Sequence, residues 1–280
     1  MKDEKLTNRL WALLLIVLSL YVMASCAALG EPKDSSSKGL PSSVDVPPSP
    51  GILRVGVSTN APPLIYKQGA EIVGLEAELA KEFAKFLGKS HRFVEVKWED
   101  QIPALLNNRT DIIMAGMSIT KMREVRISFS VPYFRTGQMA LIHRKDKNRF
   151  PQGYYGILGQ AIVLRIGVVK GTTGENFVRK NFGSAKKISS FETSKSAVDA
   201  LLQRSIDMLI HDGPIVLMLA AEAESAGLTV LPSLMTEEYL AWGIRKNDVA
   251  LLDSADSFLD KLQKEGRLDK IVKRWIPYEK

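Results

Sequence analysis

The reading turns on residues 53–88, LRVGVSTNAPPLIYKQGAEIVGLEAELAKEFAKFLG. The opening Leu53-Arg54-Val55-Gly56-Val57 alternates with period two, the signature of a strand. From Gly74 the period changes: Leu75, Leu79, Phe83 and Leu87 recur at steps of four, Ala80 and Phe86 flank the stripe, and Gly88 follows as a stop. A strand followed by an amphipathic helix is the repeating unit of an α/β fold.

The same alternation extends along the chain. Residues 91–98 read as a strand, 102–107 as a short helix and the apolar run 111–116 as a buried strand. Thr120 is placed to cap a helix through Arg126, and residues 139–143 form a strand leaving this first unit. The pattern then restarts, with strands at 165–169, 187–191, 207–211 and 228–231 and helices at 174–181, 194–203 and 214–226. Residues 239–244 are strand-like again. The helix at 249–263 carries Leu252, Ala255, Leu259 and Leu262 on one stripe, and 268–275 forms the last segment. The last helices have no strands of their own left to cover, so they are expected to pack back on the first unit. Two chain crossings, near residues 138–141 and 239–242, would then join two lobes. A cleft at such a hinge is the natural place for a small ligand.

Composition narrows the classes of function. The 280 residues carry 38 basic and 31 acidic side chains, a balance of +7 with no run of five or six like charges, so nucleic acid is not an expected partner. One cysteine excludes an internal disulfide and paired-cysteine metal motifs, and three histidines make a histidine-rich metal cluster unexpected. No cofactor is implied: Gly171-Thr172-Thr173-Gly174 lacks the lysine of a phosphate-binding loop, and serine-histidine-aspartate hydrolysis has no Gly-x-Ser-x-Gly motif to support it.

The front of the chain reads as an address. Lys2, Lys5 and Arg9 precede an uncharged stretch at 10–30 whose apolar core, 10–22, has the size of a signal-peptide h-region. Met23-Ala24-Ser25-Cys26 resembles a bacterial lipobox, with Met23 where leucine is usual. The expectation is therefore a signal peptide at 1–25 and lipidation of Cys26, against a retained anchor helix or a plain buried thiol. Residues 27–50 hold Pro32, Pro41, Pro47, Pro48 and Pro50 with many serines, and read as a flexible tether. The membrane partner would be reached through lipid rather than charge.

From Leu53 to Ile276 the chain resembles the family 3 solute-binding proteins of bacterial amino-acid ABC importers. The likeness rests on features in register: Ala61-Pro62-Pro63-Leu64, Gly74-Leu75-Glu76, Trp98 ahead of Ile102-Pro103-Ala104-Leu105, residues 111–118, Thr120-Lys121-Met122-Arg123, Phe129-Ser130-Val131-Pro132-Tyr133, residues 167–174 and 207–214. It implies an α/β two-lobed periplasmic binding protein-like fold (type II), each lobe a small α/β sandwich, joined by a two-stranded hinge. Lobe 1 would comprise residues 51–138 and 241–280, with the hinge strands and lobe 2 at 139–240.

The resemblance also implies a site. Arg123 is the expected carboxylate clamp, a planar fork able to make two parallel charge-assisted bonds. Asp212, at the carboxyl end of an apolar strand, is the expected ammonium acceptor, although an aspartate there could equally cap the next helix. The carbonyls of Ala115 and Gly116 and the Ser118 hydroxyl resemble the family's remaining contacts. Thr173 and Gly174 match the second lobe's contribution to the carboxylate, and Trp98 matches an aromatic packed on the ligand's aliphatic part. The opposite wall departs from the pattern, with Ala61 in place of an aromatic and Ser58 where an acid often stands. Lys170 and His211 are expected to form a cationic floor, which would favour a polar ligand, glutamine or glutamate first.

The implied protein is a monomer on the extracytoplasmic side of the cell envelope, taking a free amino acid to an ABC permease. Two alternatives share the fold: a cyclohexadienyl dehydratase-like enzyme, for which Glu175 or Glu192 could be nominated as the acid, and a sensor acting through a separate membrane receptor. A lytic transglycosylase is disfavoured, because the alternating segments are used up by the two lobes.

Overall fold

The computed structural model describes residues 51–150 and 153–277, which lie within one compact unit. The expectations for Cys26, the signal peptide and the tether fall outside the described residues.

Two five-stranded sheets carry the fold, and they are built alike. In lobe 1 the order is Ser90–Glu95, Ile52–Val57, Ile112–Ile113, Gly243–Ile244 and Ser128–Phe129. The first three strands are parallel; Gly243–Ile244 runs antiparallel to both of its neighbours. In lobe 2 the order is Lys187–Phe191, Arg165–Val169, Met208–Asp212, Gln138–His143 and Leu228–Leu231, again three parallel strands followed by antiparallel pairings.

A second correspondence reinforces the first. In lobe 1 the Arg54 backbone N–H and Nε donate to Asp111 Oδ2 at 2.9 and 3.1 Å while Nη2 donates to Oδ1 at 2.6 Å. In lobe 2 Arg165 holds Asp207 through the same three donors at 2.8, 3.1 and 2.7 Å. Each fork ties the second strand of its sheet to the segment leading into the third.

The stripe that defined the first helix faces inward: in Leu75–Phe86 the side chains of Leu75, Leu79, Ala80 and Phe83 are buried. Burying an aliphatic or aromatic side chain of this kind stabilises by roughly 1.5–3 kcal/mol each. Gly88 ends the helix region at φ +66, a conformation that a side chain disfavours. The C-terminal helices Val249–Lys264 and Arg267–Trp275 return to lobe 1 as expected. Phe83 meets Phe258 and Trp242 with ring centroids 5.3 Å apart in both cases, and Trp275 Nε1 donates to Glu78 Oε2 at 2.7 Å.

The lobes are joined by Phe134–Thr136 paired antiparallel with Glu238–Leu240, with Glu238 opposite Thr136. The first crossing therefore lies before residues 138–141, where the sequence pattern had placed it. Those residues already belong to the lobe 2 strand Gln138–His143. Gly137 explains the shift: a Cβ there would stand 1.9 Å from the Thr236 carbonyl oxygen, so only glycine lets the two crossing segments approach so closely. The helix capped by Thr120 is also shorter than expected. It is a single turn, Lys121–Glu124, with the Thr120 hydroxyl accepting from the Arg123 N–H.

Candidate functional site

A small cavity lies between the lobes. Lobe 1 contributes Ser58, Asn60, Ala61, Leu64, Trp98, Ala115 and Gly116; lobe 2 contributes Val169, Thr172, Glu192, Ser194, His211, Asp212 and Ile215. Ser58 follows strand Ile52–Val57, Ala115 follows Ile112–Ile113, and Val169 and Asp212 are the last residues of their strands. Both sheets thus point the carboxyl ends of their parallel strands at one space, the usual location of ligand sites in α/β folds.

Of the two roles open to Asp212, capping is not the one its side chain plays. It stands at the N-cap of helix Gly213–Glu222, yet its carboxylate makes no cap hydrogen bond. Instead Oδ1 accepts from Gln138 Nε2 at 2.5 Å and the side chain lines the cavity, 8% exposed. Burial raises its pKa above the ordinary aspartate value; neighbouring Glu238 adds to this, while His211, Gln138 and Arg123 oppose it.

Arg123 stands beside the cavity rather than on its lining. Its Nη1 donates to the Ser118 carbonyl at 2.8 Å, its Nη2 reaches the Gly171 carbonyl of lobe 2 at 3.5 Å, and its guanidinium carbon lies 5.2 Å from the Trp98 ring centroid. Burial lowers its pKa from the ordinary value, and the carboxylates of Asp212 and Glu238 act in the opposite sense. Trp98 lines the cavity and crosses it, donating from Nε1 to the Gly171 carbonyl at 2.9 Å. Trp98 and Arg123 therefore both touch the second lobe at one residue.

Gly116 and Ala115 occupy the expected wall. Gly116 adopts φ +68, and a Cβ on it would stand 2.6 Å from Leu64 Cδ1, so glycine is required twice over. Its N–H points away from the cavity to Glu76 Oε1 at 2.6 Å. Glu76 is fully buried and also accepts from Tyr133 Oη at 2.7 Å and Trp242 Nε1 at 3.0 Å. Burial raises its pKa to about 7, although those three hydrogen bonds pull the other way.

The expected cationic floor is not assembled. Lys170 is exposed and off the cavity lining, its Nζ 3.0 Å from Glu192 Oε1, so its charge is spent on an acid that does line the cavity. His211 lines the cavity, but its Nδ1 accepts the Asp212 N–H at 2.8 Å, leaving Nε2 to donate to Ser194 Oγ at 3.1 Å. That is the neutral tautomer, and burial lowers its pKa against the opposing pull of Asp212 and Glu238. The charged side chains on the lining are Asp212 and Glu192, both acidic. Ser58 and Ala61 are on the lining as expected, with Ser58 Oγ 3.1 Å from Asn60 Oδ1.

Ser118, Thr173 and Gly174 lie off the lining, and what gathers the two hydroxyls is a residue the sequence did not single out. Glu238 Oε2 accepts from Ser118 Oγ and from Thr173 Oγ1, both at 2.7 Å, and Oε1 accepts from Thr236 Oγ1 at 2.8 Å and Gln138 Nε2 at 2.9 Å. Burial favours the protonated form of Glu238, but these four bonds outweigh it and hold the pKa below the ordinary value. Gly174 packs against Gln138, where a Cβ would stand 2.5 Å from Oε1. Gln138 Nε2 has acceptors in Asp212, Glu238 and Thr173, more than its two hydrogens can serve at once, and its Oε1 is buried without a partner. In sequence, Glu238 hides in the polar run Thr236-Glu237-Glu238, and Gln138 reads only as the start of a strand.

Two α/β lobes, a double crossing and a cavity at the strand ends define a two-lobed binding protein of the type II periplasmic class. The chain belongs to the bacterial extracellular solute-binding proteins, family 3, whose model matches residues 53–278. It is 29% identical over 275 residues to the ABC transporter glutamine-binding protein GlnH of Bacillus subtilis, covering 96% of this chain and 97% of that one. Among solved structures it is similar to a putative binding component of an ABC transporter from Wolinella succinogenes complexed with lysine, with TM-score 0.76, 29% identity and coverage of 81% and 97%. It is also similar to the ancestral amino acid-binding protein AncCDT-1, a precursor of cyclohexadienyl dehydratase, with TM-score 0.73, 30% identity and coverage of 81% and 95%.

Proposed function

We propose that this chain captures a free α-amino acid on the extracytoplasmic side of the envelope and presents it to an ABC permease. The ligand's ammonium would rest on Asp212 and its carboxylate on Arg123, with Ser118, Thr173 and Gly174 at the carboxylate end and the carbonyls of Ala115 and Gly116 beside the ammonium. The observation that carries this reading is the Asp212 carboxylate, buried in the cavity wall and not spent on the helix it precedes. A buried carboxylate facing a cavity calls for a cationic partner. The relatives named for amino-acid binding support the same class of ligand.

Without a cationic floor, an acidic side chain loses its expected partner. With Asp212 assigned to the ammonium and Glu192 paired with Lys170, the lining offers no free cation to an acidic side chain, so glutamine comes first and glutamate falls behind the basic amino acids. A thermal-shift series with each proteinogenic amino acid tests this, since stabilisation grows with ligand concentration over its dissociation constant. The expected result is a large shift with glutamine or a basic amino acid and the smallest response among polar ligands with glutamate. No shift with any amino acid would sink the reading. Prephenate belongs in the same series, because a buried carboxyl of raised pKa in a cavity is also what a dehydratase acid needs, and Asp212 has both properties. Glu175 does not serve in that role: its carboxylate is bound to Gly171 N–H, Ser190 and Arg179. Turnover of prephenate would replace transport with catalysis.

Arg123→Lys keeps the charge but loses the planar fork, and is expected to cost about 1.5–3 kcal/mol of ligand affinity. Calorimetry with L-glutamine checks it, and unchanged binding would remove Arg123 from the site. The proposed anchor is a lipid on Cys26, with the mature chain a monomer. Cys26→Ser is expected to release the protein from membranes in a fractionation experiment; a fraction still bound would favour a retained apolar helix instead.

A further inference from the structure

We propose that Glu238 is a resident carboxylate of the binding site, a positioning residue that holds the two lobes together through Ser118 and Thr173 and competes with the incoming ligand's carboxylate for those two hydroxyls. The inference rests on the amino-acid reading above, which assigns Ser118 and Thr173 to the ligand's carboxylate end.

The geometry is that of a bound carboxylate with all of its places filled. One oxygen takes Ser118 Oγ from the lobe 1 side and Thr173 Oγ1 from the first residue of lobe 2's helix Thr173–Asn181, both at 2.7 Å. The other takes Thr236 Oγ1 and Gln138 Nε2 at 2.8 and 2.9 Å. Such distances are those of charge-assisted bonds. Glu238 itself stands on the crossing strand, opposite Thr136, so its backbone sits at the pivot while its side chain reaches into both lobes.

Competition follows from proton counting. A serine or threonine hydroxyl has one hydrogen to donate, so Ser118 and Thr173 cannot serve Glu238 and a second carboxylate together. Arg123 lies close enough to feel Glu238, and its Nη1 is bonded to the carbonyl of Ser118, so guanidinium and hydroxyls converge on one anion position. A ligand carboxylate entering that position must draw the hydroxyls away from Glu238. Glu238 thereby sets the affinity of the site and holds the cleft closed before ligand arrives.

The test uses full-length protein with donor and acceptor dyes on Lys89→Cys and Lys186→Cys, exposed positions on opposite lobes, and compares Glu238 with Glu238→Ala and Glu238→Asp. Without ligand, energy transfer is expected to fall in Glu238→Ala, as the lobes part, and to be restored by L-glutamine. Calorimetry is expected to show L-glutamine binding roughly tenfold tighter to Glu238→Ala, the gain from removing a competing charge-assisted contact. Glu238→Asp, one methylene shorter, keeps the charge but is too short to span both hydroxyls, and should also show reduced transfer; it carries the test if the alanine variant does not fold. Equal transfer in all three proteins without ligand, or weaker L-glutamine binding in Glu238→Ala, would overturn the proposal and leave Glu238 as a support for the ligand-bound geometry. If no amino acid binds any of the proteins, the transport reading fails, while the ligand-free transfer comparison still decides the latch.

Discussion

Asp212→Ala is expected to lose amino-acid binding by about 3 kcal/mol or more, over a hundredfold in Kd, because truncating one partner of a buried charge pair leaves the other unpaired in a low-dielectric site. Calorimetry with the best ligand of the thermal-shift series measures it, and binding within a few-fold of the unsubstituted protein would displace Asp212 from the centre of the site. Asp212→Asn should fall between the two, since an amide can still accept from Gln138 Nε2 but offers no charge to an ammonium. The same carboxylate makes a pH prediction. Burial raises its pKa, so as pH falls it takes up a proton sooner than an ordinary aspartate would. Affinity for a zwitterion should therefore decline on acidification, and do so at a higher pH than an exposed carboxylate would impose. A pH titration of Kd that stays flat down to the ordinary aspartate range would contradict the assignment.

The second large effect concerns stability. Trp242 is fully buried, packed among Phe83, Phe258 and Tyr133, with its Nε1 on Glu76. Trp242→Ala is expected to cost about 3–5 kcal/mol, the range for emptying a large aromatic site, and to lower Tm by about 6–20 °C. Trp242→Phe separates the two contributions by keeping a ring and removing the donor. With that donor gone, Glu76 loses one of the three bonds that favour its ionised form, so its pKa should rise beyond about 7. The sign of the pH dependence follows. The folded value of about 7 exceeds the unfolded 4.5, so between those values the folded state holds the extra proton and stability falls as pH rises. Urea denaturation across that window should show this slope in the unsubstituted protein, extended to higher pH in Trp242→Phe. A loss in Trp242→Ala below about 1 kcal/mol would mean that the surrounding rings close the space.

How much of this was legible in advance can be argued residue by residue. The period-two run at 53–57 and the four-residue stripe through Leu75, Leu79 and Phe83 are local signals, and both became the elements they announced. Asp212 and Ala115 were readable as cleft-lining positions because one ends and the other follows an apolar strand, and strand ends are where such folds open their clefts. The cationic floor failed because charge in a sequence is only charge available. Lys170 is neutralised by Glu192, and His211 is held neutral by its neighbour's N–H. Glu238 went unread for the complementary reason: its partners lie at 118, 138, 173 and 236, and no local period brings those positions together. Glu76 was visible as part of Gly74-Leu75-Glu76, but its chemistry depends on Tyr133 and Trp242, which arrive from the crossing region and the end of lobe 1.

The way the chain divides between the sheets sets an order of assembly. Lobe 2 draws all five of its strands from one unbroken stretch, 138–231, and can form as soon as that stretch is free. Lobe 1 cannot close on its own first half. Its sheet has a gap between Ile112–Ile113 and Ser128–Phe129 that only Gly243–Ile244 fills, and Phe83 waits for Phe258. The lobe whose strands come first is thus the last to be finished, and it keeps an open seam until residues 243–258 have been made.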